Sequence, residues 1–218
     1  MSGRLAIFDC DGTLVDGQAA VCEAMEQAFA RIGAPPPPRS AIRRIVGLSL
    51  PQAVRQLMMD GDEVDRMQVV EAYKENFRAA RTEGRLHEPL FDGIEALLRR
   101  LHADGWALAV ATGKSDRGLV SCLTAHGILD LFSSLQTADR HPSKPDPAML
   151  AEAMFETATP PADTVMIGDT TYDIAAAANA GVRAIGVEWG YHEADELLGA
   201  GAIGVARDME ELEAMIRG

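Results

Sequence analysis

Asp9 and Asp11 stand two apart at the end of a short apolar run, Leu5 to Phe8, and Gly12 follows directly. That spacing sends two side chains to the same side of an extended segment. The glycine allows a sharp turn and a close approach of backbone amides to an anion. A carboxylate pair so placed offers one phosphoryl group both a nucleophile and an acid–base partner. Asp169 and Asp173, four apart, share one face at the N-terminus of a helix that begins near residue 170. So many carboxylates come together at low cost only around a divalent cation, and an oxygen-only ligand set favours Mg²⁺. Thr112, Gly113 and Lys114 follow another apolar run and present a hydroxyl, an amide and an ammonium to phosphate oxygens; Lys144 adds a second cation. Nucleophile, proton donor, metal and anion clamps together are the equipment of phosphoryl transfer.

Other readings of the same residues fit less well. As a calcium loop opened by Asp9, the segment has its glycine at the fourth position instead of the sixth, and Ala20 at the twelfth. As a Walker loop, GlyLysSer at 113 to 115 has Leu108 where the first glycine belongs. The five histidines, His87, His102, His126, His141 and His192, show no metal-ligand spacing and read as surface or packing residues. Cys10, Cys22 and Cys122 are odd in number and widely spaced, without a CxxC pair, and read as reduced, buried side chains.

The elements that must position these groups alternate. Leu5 to Phe8 reads as a short buried strand with DCDGT as the loop beyond it. Apolar residues then recur at helical spacing over 18–32, with Pro35 to Pro38 as a stop, and further helices are expected over 41–46, 52–59 and 63–80, the second opened by Pro51. From Asp92 helices and strands take turns: helix 94–103, strand 106–111, helix 116–126, a weak strand near 131–136, helix 147–157, strand 164–167 and helix 173–180. Strand 182–187, helix 193–198, a short strand at 203–205 and helix 209–216 complete the series. Such alternation predicts a Rossmann-like parallel sheet flanked by helices, an α/β core formed by 1–15 and 85–218, with an all-helical insertion at 16–84. In open parallel sheets ligands collect beyond the carboxyl ends of the strands, where all four polar groups fall.

The totals agree with a soluble enzyme. The chain has 218 residues, 47% hydrophobic and 24% charged, enough to bury a core without suggesting disorder or a membrane protein. A net charge of -13 repels polyphosphate over most of the surface, which argues against nucleic acid yet allows a small anion where cations converge. The apolar run before Asp9 is too brief for a signal peptide or a membrane span, so the cytoplasm is the expected location.

The segments FDCDGTLVD, ATGK, KPDP and IGDTTYD, in that order, resemble the four motifs of the haloacid dehalogenase superfamily, in particular its phosphoglycolate phosphatase-like branch, whose helical cap is inserted after the first motif. The resemblance spans nearly the whole chain. It implies Asp9 as nucleophile and Asp11 as general acid and then base. It implies Mg²⁺ held by Asp9, the backbone carbonyl of Asp11 and Asp169, with Asp173 as a further ligand or a partner behind the ligands. Thr112 and Lys144 would bind phosphoryl oxygens, Lys144 also restraining the charge of Asp9, with Gly12 and Gly113 close to the bound phosphate. Dehalogenases acting on carbon lack the second acid, so Asp11 favours phosphate chemistry. Gly17 and Thr170 stand where the family often has serine. Arg43, Arg44, Gly47 and Ser49 fall where the family has its substrate loop, and Arg44 would suit a carboxylated substrate such as phosphoglycolate.

The expectation is a small phosphorylated metabolite as substrate, phosphoglycolate first, with no nucleic-acid or membrane partner and a monomeric or homodimeric state. β-Phosphoglucomutase-type transfer and pyrophosphate hydrolysis use similar machinery. A receiver-like phospho-acceptor module also phosphorylates an aspartate in an α/β sheet. Its acidic pair and its acceptor lie on different strands, and it has no use for a helical insertion. An inactive scaffold is disfavoured by the presence of every motif residue.

Overall fold

The computed structural model describes residues 3–218. Six strands, β1 (Arg4–Phe8), β2 (Trp106–Thr112), β3 (Ser134–Thr137), β4 (Thr164–Gly168), β5 (Arg183–Val187) and β6 (Val205–Ala206), form one sheet in the order β3-β2-β1-β4-β5-β6. Every pairing is parallel. The architecture is the α/β parallel sheet expected from the alternation.

Residue type decides the two faces. Ala6 and Phe8 of β1 point into a core shared with α5 (Ile94–Ala103), α6 (Asp116–Ala125) and α10 (Met209–Arg217), whereas Leu5 and Ile7 point to the other face. There they meet α7 (Ala148–Glu156), α8 (Thr171–Ala180) and Leu197 of α9 (Ala194–Gly199). Both faces of a central strand are covered, which is why β1 reads as an unbroken apolar run and not as an alternation.

Between β1 and α5 the chain makes four helices, α1 (Gln18–Arg31), α2 (Arg39–Arg44), α3 (Leu50–Leu57) and α4 (Glu63–Thr82). They enclose their own apolar cluster, with Met25 and Phe29 of α1, Ile42 of α2, Val54 of α3 and Val69 of α4 all buried. Asp62 caps α4 by accepting from the Asp65 N–H at 2.8 Å. Pro51 lies inside the first turn of α3, but the helix starts one residue earlier, at Leu50.

Along most of the chain the elements begin and end within one to three residues of the expected positions, and the departures are local. Leu129–Leu131 form a 3₁₀ turn, so β3 is shorter than the weak strand expected at 131–136. The last strand begins at Val205 and not at Ile203, whose side chain is exposed. Among the described residues no helix is long and apolar enough to cross a membrane.

Candidate active site

Register brings the first acids together. Phe8 pairs with Val110 on one side and Ile167 on the other, so β1, β2 and β4 end at one level. Asp9 continues this ladder, its N–H donating to Ile167 O at 2.9 Å, which sets it beside the Asp169 loop. One oxygen of Asp9, Oδ1, accepts from the Cys10 N–H at 2.7 Å and lies 3.1 Å from Lys144 Nζ. The other, Oδ2, is buried and has no partner.

Asp169 is held from both sides. Thr13 Oγ1 donates to its Oδ1 at 2.9 Å and the Tyr191 N–H to its Oδ2 at 2.9 Å. Asp173 is the third residue of α8 and closes a capping box with Thr170: its Oδ2 accepts from the Thr170 N–H at 3.1 Å and from the hydroxyl at 2.7 Å. Its other oxygen takes a 2.6 Å hydrogen bond from Lys144 Nζ. The two acids were expected to share the first turn of a helix; Asp169 instead precedes the Thr170 cap and reaches the cluster from the loop.

Carboxylate oxygens of Asp9, Asp169 and Asp173 lie within 4.8 Å of one another, all buried. Burial pushes the Asp9 carboxyl up to about 7, opposed by Lys144 and reinforced by Asp173 and Asp11. Burial first, then Asp173 and Asp9, push Asp169 far above the carboxylate range. Like charges this close favour protonation unless a cation intervenes. The all-oxygen donor set and the raised acids fit a hard divalent cation. Asp9, Asp169 and Asp173 each offer one carboxylate oxygen to such a cation. The side chain of Asp11, named with these acids from the sequence, stands outside the trio.

Asp11 faces the other way. Lys114 Nζ lies 3.0 Å from its Oδ1 and 2.6 Å from Glu88 Oε1. Burial raises the Asp11 carboxyl against the pull of Lys114. Burial also disfavours the Lys114 ammonium, but Asp11 and Glu88 outweigh it and hold the lysine charged. Gly17 has its reason here, since a Cβ at that position would meet Asp11 Oδ1 at 3.0 Å.

A cavity of about 450 Å³ opens between the four-helix insertion and the sheet, with Asp9, Asp11, Thr112, Gly113 and Lys114 among its lining residues. Lys144 does not line it. Its ammonium is fully enclosed, contacting Ala111 O at 3.1 Å besides Asp173 and Asp9, so of these two lysines the one that lines the cavity is Lys114.

The glycines also have packing reasons. Gly12, with φ +83°, sits so close to Asp169 that a Cβ would lie 2.2 Å from Oδ2 and 2.5 Å from the Tyr191 ring. Gly113 is pressed by the insertion, since a Cβ there would lie 2.3 Å from Leu48 O.

Arg44 is not in the cavity. Its guanidinium pairs with Glu196 of α9 at 2.7 Å, and its carbonyl accepts from Tyr172 OH at 3.3 Å and meets His192 Nε2 at 3.2 Å. With Ser49 N–H donating to Ser143 Oγ at 2.8 Å, these contacts clasp the α2–α3 turn to the sheet domain. The arginine is drawn outward because an acid on α9 stands where the helix end meets the core.

Glu88, Thr13 and Tyr191 carry no signal of their own in the sequence and His192 reads there as a surface or packing residue, yet each holds a site residue or the clasp. Thr13 lies within the DCDGT loop and Tyr191 in the WGYH turn after β5, and position beyond a strand end was the available signal.

Comparison with known proteins places the chain in context. The profile of the haloacid dehalogenase-like hydrolases matches residues 6–187. A Dickeya dadantii protein named "Probable phosphatase IndB" is 37% identical over 201 residues, covering 90% of this chain and 86% of that one. A Pseudomonas fluorescens phosphoglycolate phosphatase is 30% identical over 198 residues, 87% of this chain and 71% of its own. Among solved structures, that of "a predicted phosphatase from Clostridium acetobutylicum" superposes with a TM-score of 0.89 at 26% identity, covering 100% of this chain and 99% of the other.

Proposed function

The chain belongs to the haloacid dehalogenase-like hydrolases, and from that premise we propose that it hydrolyses a phosphomonoester through attack by Asp9 Oδ2. The observation that carries the reading is the state of Asp9, which lines the cavity: one oxygen is held by the Cys10 N–H and Lys144, while the other is buried and unpartnered. An oxygen so placed reaches phosphorus without first breaking a hydrogen bond, and the fixed oxygen holds the attack direction.

Asp9 forms the new oxygen–phosphorus bond and the leaving alkoxide takes a proton from Asp11, giving an aspartyl phosphate and an alcohol. Asp11, now a carboxylate, removes a proton from water as the water oxygen attacks phosphorus, and the carboxylate of Asp9 leaves. Its raised pKa, caused mainly by burial, suits the first role, and the adjoining Lys114 stabilises the carboxylate needed for the second. Thr112 and Lys114, both at the cavity, are the side chains placed to hold phosphoryl oxygens. Lys144 positions Asp9 and balances Asp173.

Mg²⁺, held by Asp9 and Asp169 with the Asp11 carbonyl, would supply charge neutralisation to the incoming dianion. The helices over 16–84 act as the lid that excludes water, and the clasp at Arg44, Tyr172 and His192 is its closed state. Phosphoglycolate is the first substrate suggested by the relatives.

The test is phosphate release from a panel of monoesters by the wild type and Asp9→Asn, with Mg²⁺ and with EDTA. Activity that needs both Asp9 and the cation is expected. Undiminished turnover by Asp9→Asn would remove the covalent mechanism.

A further inference from the structure

The cavity is larger and differently lined than a two-carbon leaving group requires. Its volume of about 450 Å³ belongs to the range of roughly 300–1,000 Å³ that takes drug-sized ligands. Part of its wall is apolar, with Val21, Met25, Val46, Leu48, Tyr73 and Phe77 among the lining residues. Tyr73 and Phe77 form a tilted aromatic pair with centroids 5.1 Å apart, and the Phe77 ring lies 5.7 Å from Lys114 Nζ. The apolar surface therefore starts beside the groups that hold the phosphoryl end.

The same helix carries the next feature. Tyr73, Phe77 and Arg81 fall at i, i+4 and i+8 of α4, with Lys74 and Arg78 in the adjoining row, so the lining changes from aromatic to basic over about 12 Å of helix. Arg117, in the first turn of α6, lines the cavity as well. In this acidic chain most arginines have a carboxylate partner, as Arg31, Arg39, Arg44, Arg99 and Arg217 show. Among the described residues the guanidinium groups of Arg78, Arg81 and Arg117 have no ion pair or hydrogen bond. Lys74 is paired with Glu71, and Asp139, which also lines the cavity, accepts from the Asp116 N–H at 2.9 Å. Three unpaired cations in one cavity of a protein with a net charge of -13 form a site for an anion that the protein does not itself supply.

We propose that the substrate carries, beyond its phosphomonoester, an apolar body that lies against Tyr73 and Phe77 and ends in a second anionic group bound by Arg78, Arg81 and Arg117. The inference rests on the phosphatase reading and deepens it. Phosphoglycolate, with one carbon between its ester oxygen and its carboxylate, would leave that apolar wall uncovered.

Three probes separate the requirements: phosphoglycolate, with the anion and no apolar body; phenyl phosphate, with the body and no anion; and 4-carboxyphenyl phosphate, with both. The third is expected to exceed each of the others in kcat/KM on the order of tenfold, as one charge-assisted contact provides. In Arg78→Gln/Arg81→Gln/Arg117→Gln its ratio to phenyl phosphate is expected to fall to near one. Arg78 and Arg117 are exposed and Arg81 is half-buried, and a melting curve checks the fold; Arg117→Gln alone, with a smaller fall, serves if the triple variant does not fold. A ratio near one in the wild type, or a preference that survives the substitutions, overturns the proposal. Calorimetric titration of Asp9→Asn with the same two aryl phosphates reads the preference without turnover. Release of phosphate from none of the three would defeat the phosphatase reading, while the calorimetric ratio would still decide the anion site.

Discussion

Lys144 Nζ donates to Asp173 Oδ1 at 2.6 Å, nearer than its 3.1 Å approach to Asp9, so the lysine is anchored by the helix cap and lent to the nucleophile. Burial opposes its charge, yet Asp173 and Asp9 together hold the ammonium above its ordinary value. The pair is wholly enclosed, with no exposure of either side chain. Removing one partner of a buried pair leaves an uncompensated charge, which costs about 3–5 kcal/mol. Lys144→Met is expected to lose stability on that scale in urea denaturation and to lose turnover with it. A stable, active Lys144→Met would show that Asp9 and Asp173 need no fixed cation.

Gly113 marks where the insertion rests on the sheet domain. A Cβ there would meet Leu48 O at 2.3 Å, a backbone atom that moves only if the whole α2–α3 turn retreats. Gly113→Ala is therefore expected to loosen the clasp made by Ser49 and Arg44 while the sheet keeps its own core. KM should rise and kcat fall, with little change in melting temperature. If the kinetics match those of wild type, the closed contact is not part of the catalytic cycle.

Arg44 gives the opposite expectation. Its guanidinium is about half exposed, faces Glu196 and does not line the cavity. A direct carboxylate contact would make Arg44→Gln raise KM for phosphoglycolate by tenfold or more, on the order of a charge-assisted hydrogen bond. The structure predicts a change of less than about threefold, the scale of an exposed ion pair in water. Steady-state kinetics on phosphoglycolate distinguish the two.

Much of this was legible because the chemistry sits where hydrophobic runs end. Asp9 and Thr112 each terminate a strand whose apolar residues are unmistakable, and parallel packing makes those ends converge. What could not be read is direction. Lys114 and Lys144 look equivalent along the chain, and only the tertiary contacts with Glu88 on one side and Asp173 on the other turn the first toward the cavity and the second away. Arg44 fell on a helix end whose facing depends on α9, 152 residues distant in sequence at Glu196. Nothing along the chain marks Arg78 or Arg81, because the absence of partners is a property of the folded neighbourhood.

The acid cluster makes stability depend on pH in a way that a cation should cancel. The folded-state pKa of Asp9 is raised from 3.8 to about 7, mainly by burial, and Asp169 is raised further by burial and by Asp173. Between those values the folded protein binds protons that the unfolded chain has released, so stability from these groups is present below the unfolded pKa and falls as pH rises toward 7 and beyond. A divalent cation binds the carboxylates and displaces those protons, so its stabilisation grows over the same interval. Melting temperatures of the EDTA-treated protein, measured from pH 5 to pH 8 with and without Mg²⁺, should therefore diverge as pH increases, with the larger gain at pH 8. A gain that is constant across the range would mean that the cation binds elsewhere than at Asp9 and Asp169. Asp169→Asn separates the possibilities further, since it removes one buried charge and should reduce both the decline in EDTA and the gain with Mg²⁺.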